Sequence, residues 1–229
     1  MRKNTITYLK QTKDFIVKIE KLKSGTWVPS TDAQIEEWRE KGYPHMQDNC
    51  LKQFVKWCQS QNKKFNRIVD IGAWCGTWAM TMQAYANNIY CFEPNKTHYE
   101  CLERNVAPYN HIRTYNQAIG NEDGHIALSE ESATQNTRVL LQKGDTRISK
   151  LDSLEIDDID MLKIDVEGLE MEVLKGASRC LEKIKFIMIE LNNNSKRYGS
   201  SNLEIEKHLK DLGYKILIKT WPDIVYFKA

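Results

Sequence analysis

The spacing of apolar positions changes several times along the chain, and each change marks an element boundary. DNCLKQFVKWC sets Leu51, Phe54, Val55 and Cys58 at i, i+3, i+4 and i+7, one apolar face of a helix. Charged QNKKFNR follows, and then the apolar run IVDIG, a buried strand breaking into a glycine turn. Cys75, Trp78, Ala79, Met82 and Tyr85 return to helical spacing. A second strand is predicted at NIYCFE (88–93) before Pro94, where Thr97 and Glu100 read as a capping box opening the helix HYECLERNV. A third strand is predicted at IRTYNQAI (112–119). Residues 120–159 are turn-rich, with short alternating pieces (HIALS, TRVLL, TRISKLDSL) expected as small strands beside the main sheet.

MLKID (161–165) has the compact apolar character of a buried parallel strand. Leu169, Val173, Ala177 and Leu181 predict a helix over 168–182, and KFIMIEL (185–191) the next strand. SSNLEIEKHLKDLG reads as a helix with Ser201 and Glu204 as its capping box and Gly213 as its stop. The chain closes on YKILI and DIVYF, two strands joined by a short Trp-Pro-Asp turn. About the first 45 residues show weak periodicity, and SGTWVPSTD (24–32) reads as a loop.

Strands alternating with helices at roughly 10–15-residue spacing mean parallel βαβ units and an α/β, doubly wound, Rossmann-like sheet. The expected division is an N-terminal helical or loop extension, 1–65, packed on a core domain, 66–229. Folds of this kind bind ligands at the carboxyl ends of their strands, near the point where the strand order reverses. Here that means just after residues 70, 93, 117, 165 and 190.

Composition narrows the class. The chain has 229 residues, 41% hydrophobic and 28% charged, which suits one globular domain. No run approaches the ~18 apolar residues of a membrane span, and no apolar segment with a cleavage site opens the chain. Six scattered cysteines lack metal-finger spacing and read as reduced core residues, which points to the cytoplasm. Net charge is +2, but residues 1–67 hold 14 Lys/Arg against 7 Asp/Glu while the remainder holds 19 against 24. A basic front permits an anionic partner, and a solvated lysine-rich surface is the simpler reading.

Asp70, Glu93, Asp165 and Glu190 each end a predicted strand. A buried carboxylate requires a cation or hydrogen-bond donor, so a ligand serving that need carries hydroxyls and positive charge. Glu93 follows Asp70 by 23 residues, the spacing of an acid that accepts from both ribose hydroxyls. A pyrophosphate on the helix N-terminus wants glycines and no adjacent anion, yet this turn has Asp70 at its mouth and Trp74 inside it. A cofactor with an ammonium and a sulfonium fits better, which points to S-adenosylmethionine and away from NAD(P).

The blocks VDIGAWCG, CFEPN (91–95), NQAIG (116–120), LDSL (151–154) and DMLKIDVEGLEMEVLKGA (160–177) resemble those of the FkbM family of S-adenosylmethionine-dependent methyltransferases. The resemblance covers about residues 66–229, and short family members also occur in viruses and phages. It implies a class I methyltransferase sheet of seven strands, mostly parallel, whose last strand runs antiparallel. It also implies O-methylation of sugars, polyketides or other small hydroxylated molecules. Trp74 departs from the family's usual Asn near this position.

The expected cofactor-binding residues are Asp70, Gly72, Ala73, Trp74 and Gly76 in the turn, Glu93 and Asn95 after the second strand, and Asn116 and Ala118 after the third. Asp70 and Gly72 are assigned to the methionine end, Glu93 to the ribose, and Asn116 and Ala118 to the region where adenine lies in this fold. Trp74 is expected to cover the methionine end or wall the acceptor pocket, and packing on the N-terminal segment is the alternative. Asp165 and Glu167 are the candidate catalytic carboxylates, since methyl transfer needs alignment and a proton acceptor for the hydroxyl. Glu190 and Asn192 with Asp165 form an all-oxygen set that suits Mg²⁺, a possible but not expected cofactor. His45, His98, His111, His125 and His208 are isolated and read as surface or core. A ribose-methylating RNA enzyme and a catalytically silent binding protein are the rival readings. The first is disfavoured because its Lys-Asp-Lys-Glu tetrad is only half present, in Lys163, Asp165 and Glu190.

Overall fold

The computed structural model describes residues 5–11, 15–43, 49–129, 139–140 and 142–229, with 5–11 and 15–17 described as backbone. His45, and residues 137, 138 and 141 of TRVLL, lie outside these. The front of the chain is a three-stranded antiparallel sheet, β1 (Thr5–Gln11), β2 (Phe15–Lys21) and β3 (Trp27–Pro29), followed by the short helix α1 (Ile35–Lys41). The expectation of a loop at 24–32 is therefore corrected, and the extension expected as helix or loop contains strands as well. Trp27–Pro29 pairs with Ile19–Lys21, and those ladder bonds override the local turn composition.

The body alternates as expected. Helix α2 (Asn49–Ser60) leads into β4 (Phe65–Ile71), α3 (Thr77–Met82), β5 (Ala86–Phe92), α4 (Lys96–Val106) and β6 (Ile112–Tyr115). Four short strands follow: β7 (Ala118–Ile119), β8 (Gly124–Leu128), β9 (Val139–Leu140) and β10 (Thr146–Ser149). The chain then runs β11 (Met161–Ile164), α5 (Glu170–Gly176), β12 (Phe186–Glu190), α6 (Asn202–Asp211), β13 (Lys215–Thr220) and β14 (Asp223–Phe227).

Seven strands form the main sheet in the order β13-β14-β12-β11-β4-β5-β6, with β14 antiparallel to both neighbours and the other pairings parallel. The order reverses between β4 and β11, which puts the ligand crevice at their carboxyl ends. The short strands make a second sheet, β7-β10-β8-β9, beside it.

Three local expectations change. The predicted third strand splits at Asn116–Gln117, where the chain leaves β6 and Ala118 pairs with Ile148 of β10. Asn95, not Thr97, caps α4, its side chain accepting from the backbone N–H groups of Thr97 and His98 at 2.9 and 3.2 Å. The helix expected over 168–182 keeps α-helical form only through Gly176. A Cβ there would lie 1.8 Å from the Gly120 carbonyl oxygen, so only glycine fits at its last residue, and turns follow.

Apolar side chains cover both sheet faces. Val69, Ile71, Leu162, Ile164, Ile187 and Ile189 pack under α5 and α6, while Ile68, Ile89, Met161 and Val225 pack under α2, α3 and α4. Each such side chain contributes about 1.5–3 kcal/mol by leaving water. All six cysteines are free, and five of them are buried.

Candidate active site

β4 ends in a turn that only glycine fits. Gly72 has φ +77°, and a Cβ on it would sit 1.7 Å from the backbone oxygen of Asp165. The ends of β4 and β11 therefore meet backbone to backbone. A cavity of about 350 Å³ opens there. Its lining includes Gly72, Ala73 and Trp74 from the turn, Glu93 and Ala118 after the next two strands, and Asp165 and Glu167 after β11.

Four of the expected cofactor residues stand behind this lining. Asp70 is fully buried and pairs in register with Lys163, whose Nζ lies 3.2 Å from its Oδ1. The expectation that Asp70 faces a ligand is corrected: its cation is the neighbouring strand's lysine. Gly76 (φ +80°) lets α3 approach α4, since a Cβ would lie 2.6 Å from the Leu102 side chain, so it serves packing. Asn95 spends its side-chain oxygen on the cap of α4. Asn116 donates its amide to the carbonyls of Glu93 and Pro94 at 2.9 and 3.0 Å.

Glu93 is the best-held acid of the cavity. Its Oε2 accepts from the Trp74 backbone N–H at 2.9 Å and its Oε1 from the Asn95 N–H at 2.8 Å. His98 Nδ1 lies 3.5 Å from Oε1. A carboxylate offers about four lone-pair sites, more than the two backbone donors fill. Trp74 has φ 49°, a left-handed conformation, and its ring meets Trp38 edge-on with centroids 5.4 Å apart. It both lines the cavity and packs on the N-terminal segment.

Lys163 also donates to the Gly72 carbonyl at 2.6 Å and approaches Asp165 at 3.4 Å. Burial alone lowers an ammonium's pKa, but Asp70 and Asp165 outweigh it and hold Lys163 above its ordinary value. Asp165, Glu167 and Glu190 place one carboxylate oxygen each within 4.8 Å of one another. Burial first, then Asp165, Glu167 and Asp223, pushes Glu190 up to about 9, so it is protonated at neutral pH.

Asn192 turns its oxygen away from Glu190, so it does not complete the all-oxygen set considered for Mg²⁺. Its Oδ1 accepts the Asn194 N–H at 3.0 Å, which turns its amide nitrogen toward Glu190 (2.8 Å) and Glu167 (3.2 Å). Asn194 adds a second amide to Glu167 at 2.7 Å. The three carboxylates are thus held by a shared proton, two amides and one ammonium.

Lys163, Gln117, His98, Trp78 and Asp223 also line the cavity, and none stood among the expected site residues. Gln117 lies beside Asn116 in the same block, and His98 one helical turn after Asn95, so adjacency was the available signal. His98 is corrected from isolated to cavity-lining. His111 donates from Nε2 to the Gln83 carbonyl (3.2 Å), while His125 and His208 lie on β8 and α6, outside the lining.

A seven-stranded sheet of this order, with an acid-lined cavity past a glycine turn, defines a Rossmann-like methyltransferase. The methyltransferase FkbM domain matches residues 62–216, and the chain belongs to that family. Hexuronic acid methyltransferase AglP of Haloferax volcanii is 29% identical over 179 residues, 74% of this chain and 72% of that protein. The crystal structure of methyltransferase FkbM from Methylobacillus flagellatus shares the fold, with TM-score 0.53 and 18% identity over 71% of this chain. This chain spans 43% of that one. Among the described residues no helix is long and apolar enough to cross a membrane.

Proposed function

We propose that this methyltransferase takes its methyl group from S-adenosylmethionine and delivers it to a hydroxyl of a sugar, glycan or other small hydroxylated molecule. The observation that carries the reading is Glu93, held by two backbone N–H groups in the lining of the cavity. The cradle fits the cofactor: a glycine stands where any side chain would collide with Asp165, and no arginine awaits a phosphate among the lining residues. When bound, that cofactor supplies a methyl group already activated on a sulfonium.

The chain's own residues do the rest. Gly72 and Ala73 allow close backbone approach, Glu93 accepts the ribose hydroxyls, and Trp74 walls the site. Ala118, with Gln117 beside it, borders the adenine region. Asp165, assisted by Glu167, accepts the proton that the acceptor hydroxyl loses. Lys163 keeps Asp165 oriented, and Glu190 shares its proton with Asp165. AglP, a hexuronic acid methyltransferase by name, supports a saccharide acceptor. Residues 1–65 act as an extension packed on the catalytic domain of 66–229, and the six unpaired cysteines favour a reducing cytoplasm.

The test is thermal. S-adenosylhomocysteine raises the melting temperature of the parent protein, and Glu93→Ala abolishes the shift. No shift in the parent overturns the reading. Transfer of labelled methyl onto RNA, and onto none of a panel of glycosides, overturns the acceptor class.

A further inference from the structure

The family match begins at residue 62, yet the segment before it reaches the glycine turn at three places. Asn105 of α4 clamps β3 to the turn. It accepts from the Trp27 backbone N–H at 2.7 Å, and its amide donates to the carbonyls of Trp27 and Cys75, both at 2.8 Å. Trp38 of α1, fully buried, meets the Trp74 ring edge-on at 5.4 Å. Ile19 of β2 packs with Cys75 and Cys101 in one buried cluster flanked by Trp27 and Trp74.

Trp74 needs such bracing. Its φ of 49° is one that residues with a Cβ avoid, and its indole N–H is buried without an acceptor. Neither feature persists unless surrounding packing enforces it. The backbone N–H of the same residue is one of the two donors that orient Glu93. One residue therefore joins the front segment to the acid in the cavity lining.

We propose that the front segment is part of the cofactor site, with Trp38 a positioning residue that fixes Glu93 through Trp74. The inference rests on the reading of the cavity as an S-adenosylmethionine site. Without the Trp38 ring, the Trp74 indole gains room and its backbone relaxes toward negative φ. That movement turns the Trp74 N–H away from Glu93 and leaves Asn95 as the remaining backbone donor. Coupling of this kind is reciprocal, so a ligand that fixes Glu93 also steadies the front segment.

Calorimetry with S-adenosylhomocysteine on the parent, Trp38→Ala and Trp38→Phe, each well below its melting temperature, tests this. Trp38→Ala raises Kd by about tenfold, a typical coupling between linked sites, while Trp38→Phe, which keeps an aromatic edge, stays within about threefold. A Trp38→Ala protein that binds like the parent overturns the proposal, as does a Trp38→Phe protein as weak as Trp38→Ala. Should Trp38→Ala not fold, amide hydrogen exchange of the parent decides. S-adenosylhomocysteine slows exchange across 18–43 more than across α6, and equal slowing in both overturns the proposal. A parent that binds no S-adenosylhomocysteine defeats the reading of the cavity itself, a result distinct from binding that ignores Trp38.

Discussion

Lys163→Met is the sharpest test of how the strand ends are held. The lysine sits in a row across the sheet, Cys91–Asp70–Lys163–Met188, and its Nζ touches Asp70, Asp165 and the Gly72 carbonyl. Methionine keeps the length and apolar stem of lysine, so little cavity is created and the loss is electrostatic. Removing one partner of a buried ion pair costs about 3–5 kcal/mol. In a chain of this size each kcal/mol moves the melting temperature by roughly 2–4 °C, so the expected fall is about 6–20 °C. The pH dependence has a definite sign. Burial already raises the Asp70 carboxyl above its ordinary value near 3.8 with Lys163 beside it, and loss of the lysine's opposing pull raises it further, so Asp70 stays protonated in the folded variant where the unfolded chain has lost that proton. The penalty is therefore smallest near pH 4 and grows toward neutrality. Asp70→Val combined with Lys163→Met removes both charges and regains most of the loss, because an apolar pair of similar volume replaces a buried ion pair at little cost. Circular-dichroism melts of the parent and the single and double variants at pH 4.5, 6 and 7.5 supply the comparison. A single variant that melts with the parent at pH 7.5, or a double variant no better than the single, refutes the reasoning.

Gly72→Ala forces its new Cβ from 1.7 Å to beyond 3.0 Å of the Asp165 backbone, parting β4 from β11; the thermal shift with S-adenosylhomocysteine disappears, and a retained shift counts against the cradle. Glu190, at about 9 in the fold and 4.5 when unfolded, holds a proton that the unfolded chain loses. Parent stability therefore falls as pH rises from 4.5 toward 9, by up to about 1.4 kcal/mol per pH unit, and Glu190→Gln flattens that slope in pH-resolved melts. Glu93, Asp165, Glu167 and Asp223 line the cavity against one lysine, which disfavours an anionic acceptor. A neutral hexoside is methylated with kcat/KM at least about tenfold above the matching hexuronide, since like charges brought together cost several kcal/mol, and the opposite ranking in a labelled-methyl assay refutes this.

The main sheet was legible because strands buried on both faces read as continuous apolar runs, IVDI, MLKI and FIMI among them. The cap of α6 was legible too, since Ser201 and Glu204 lie within one turn and bond each other locally. What escaped depends on partners distant in sequence. Asp70 and Lys163 become neighbours only through the β4–β11 register. Thr97 and Asn95 are both good caps by residue type, and the extended backbone of Asn95 decides between them. The helix after β11 stops where Gly176 meets the Gly120 carbonyl, a contact that periodicity cannot contain. The front sheet escaped because its strands gain order from pairing with each other and from Asn105, not from a face buried on the main core.

Position at a strand end is not enough to make an acid a ligand group, and the source of its hydrogen-bond donors is what separates the cases. Asp70 takes its cation from the next strand, within a fully buried row, and has no face toward the cavity. Glu93 follows the next strand, two residues beyond the Cys91 that pairs with Asp70, and its donors are backbone N–H groups that fix the plane of the carboxylate. Such an acid keeps a fixed orientation, which a pair of ribose hydroxyls requires. Asp165 falls between the two. It shares Lys163 with Asp70 at 3.4 Å and a proton with Glu190, yet 41% of its side chain remains exposed. A carboxylate held by neighbours on one side and open on the other is oriented for proton acceptance, whereas Glu190, already protonated, is not.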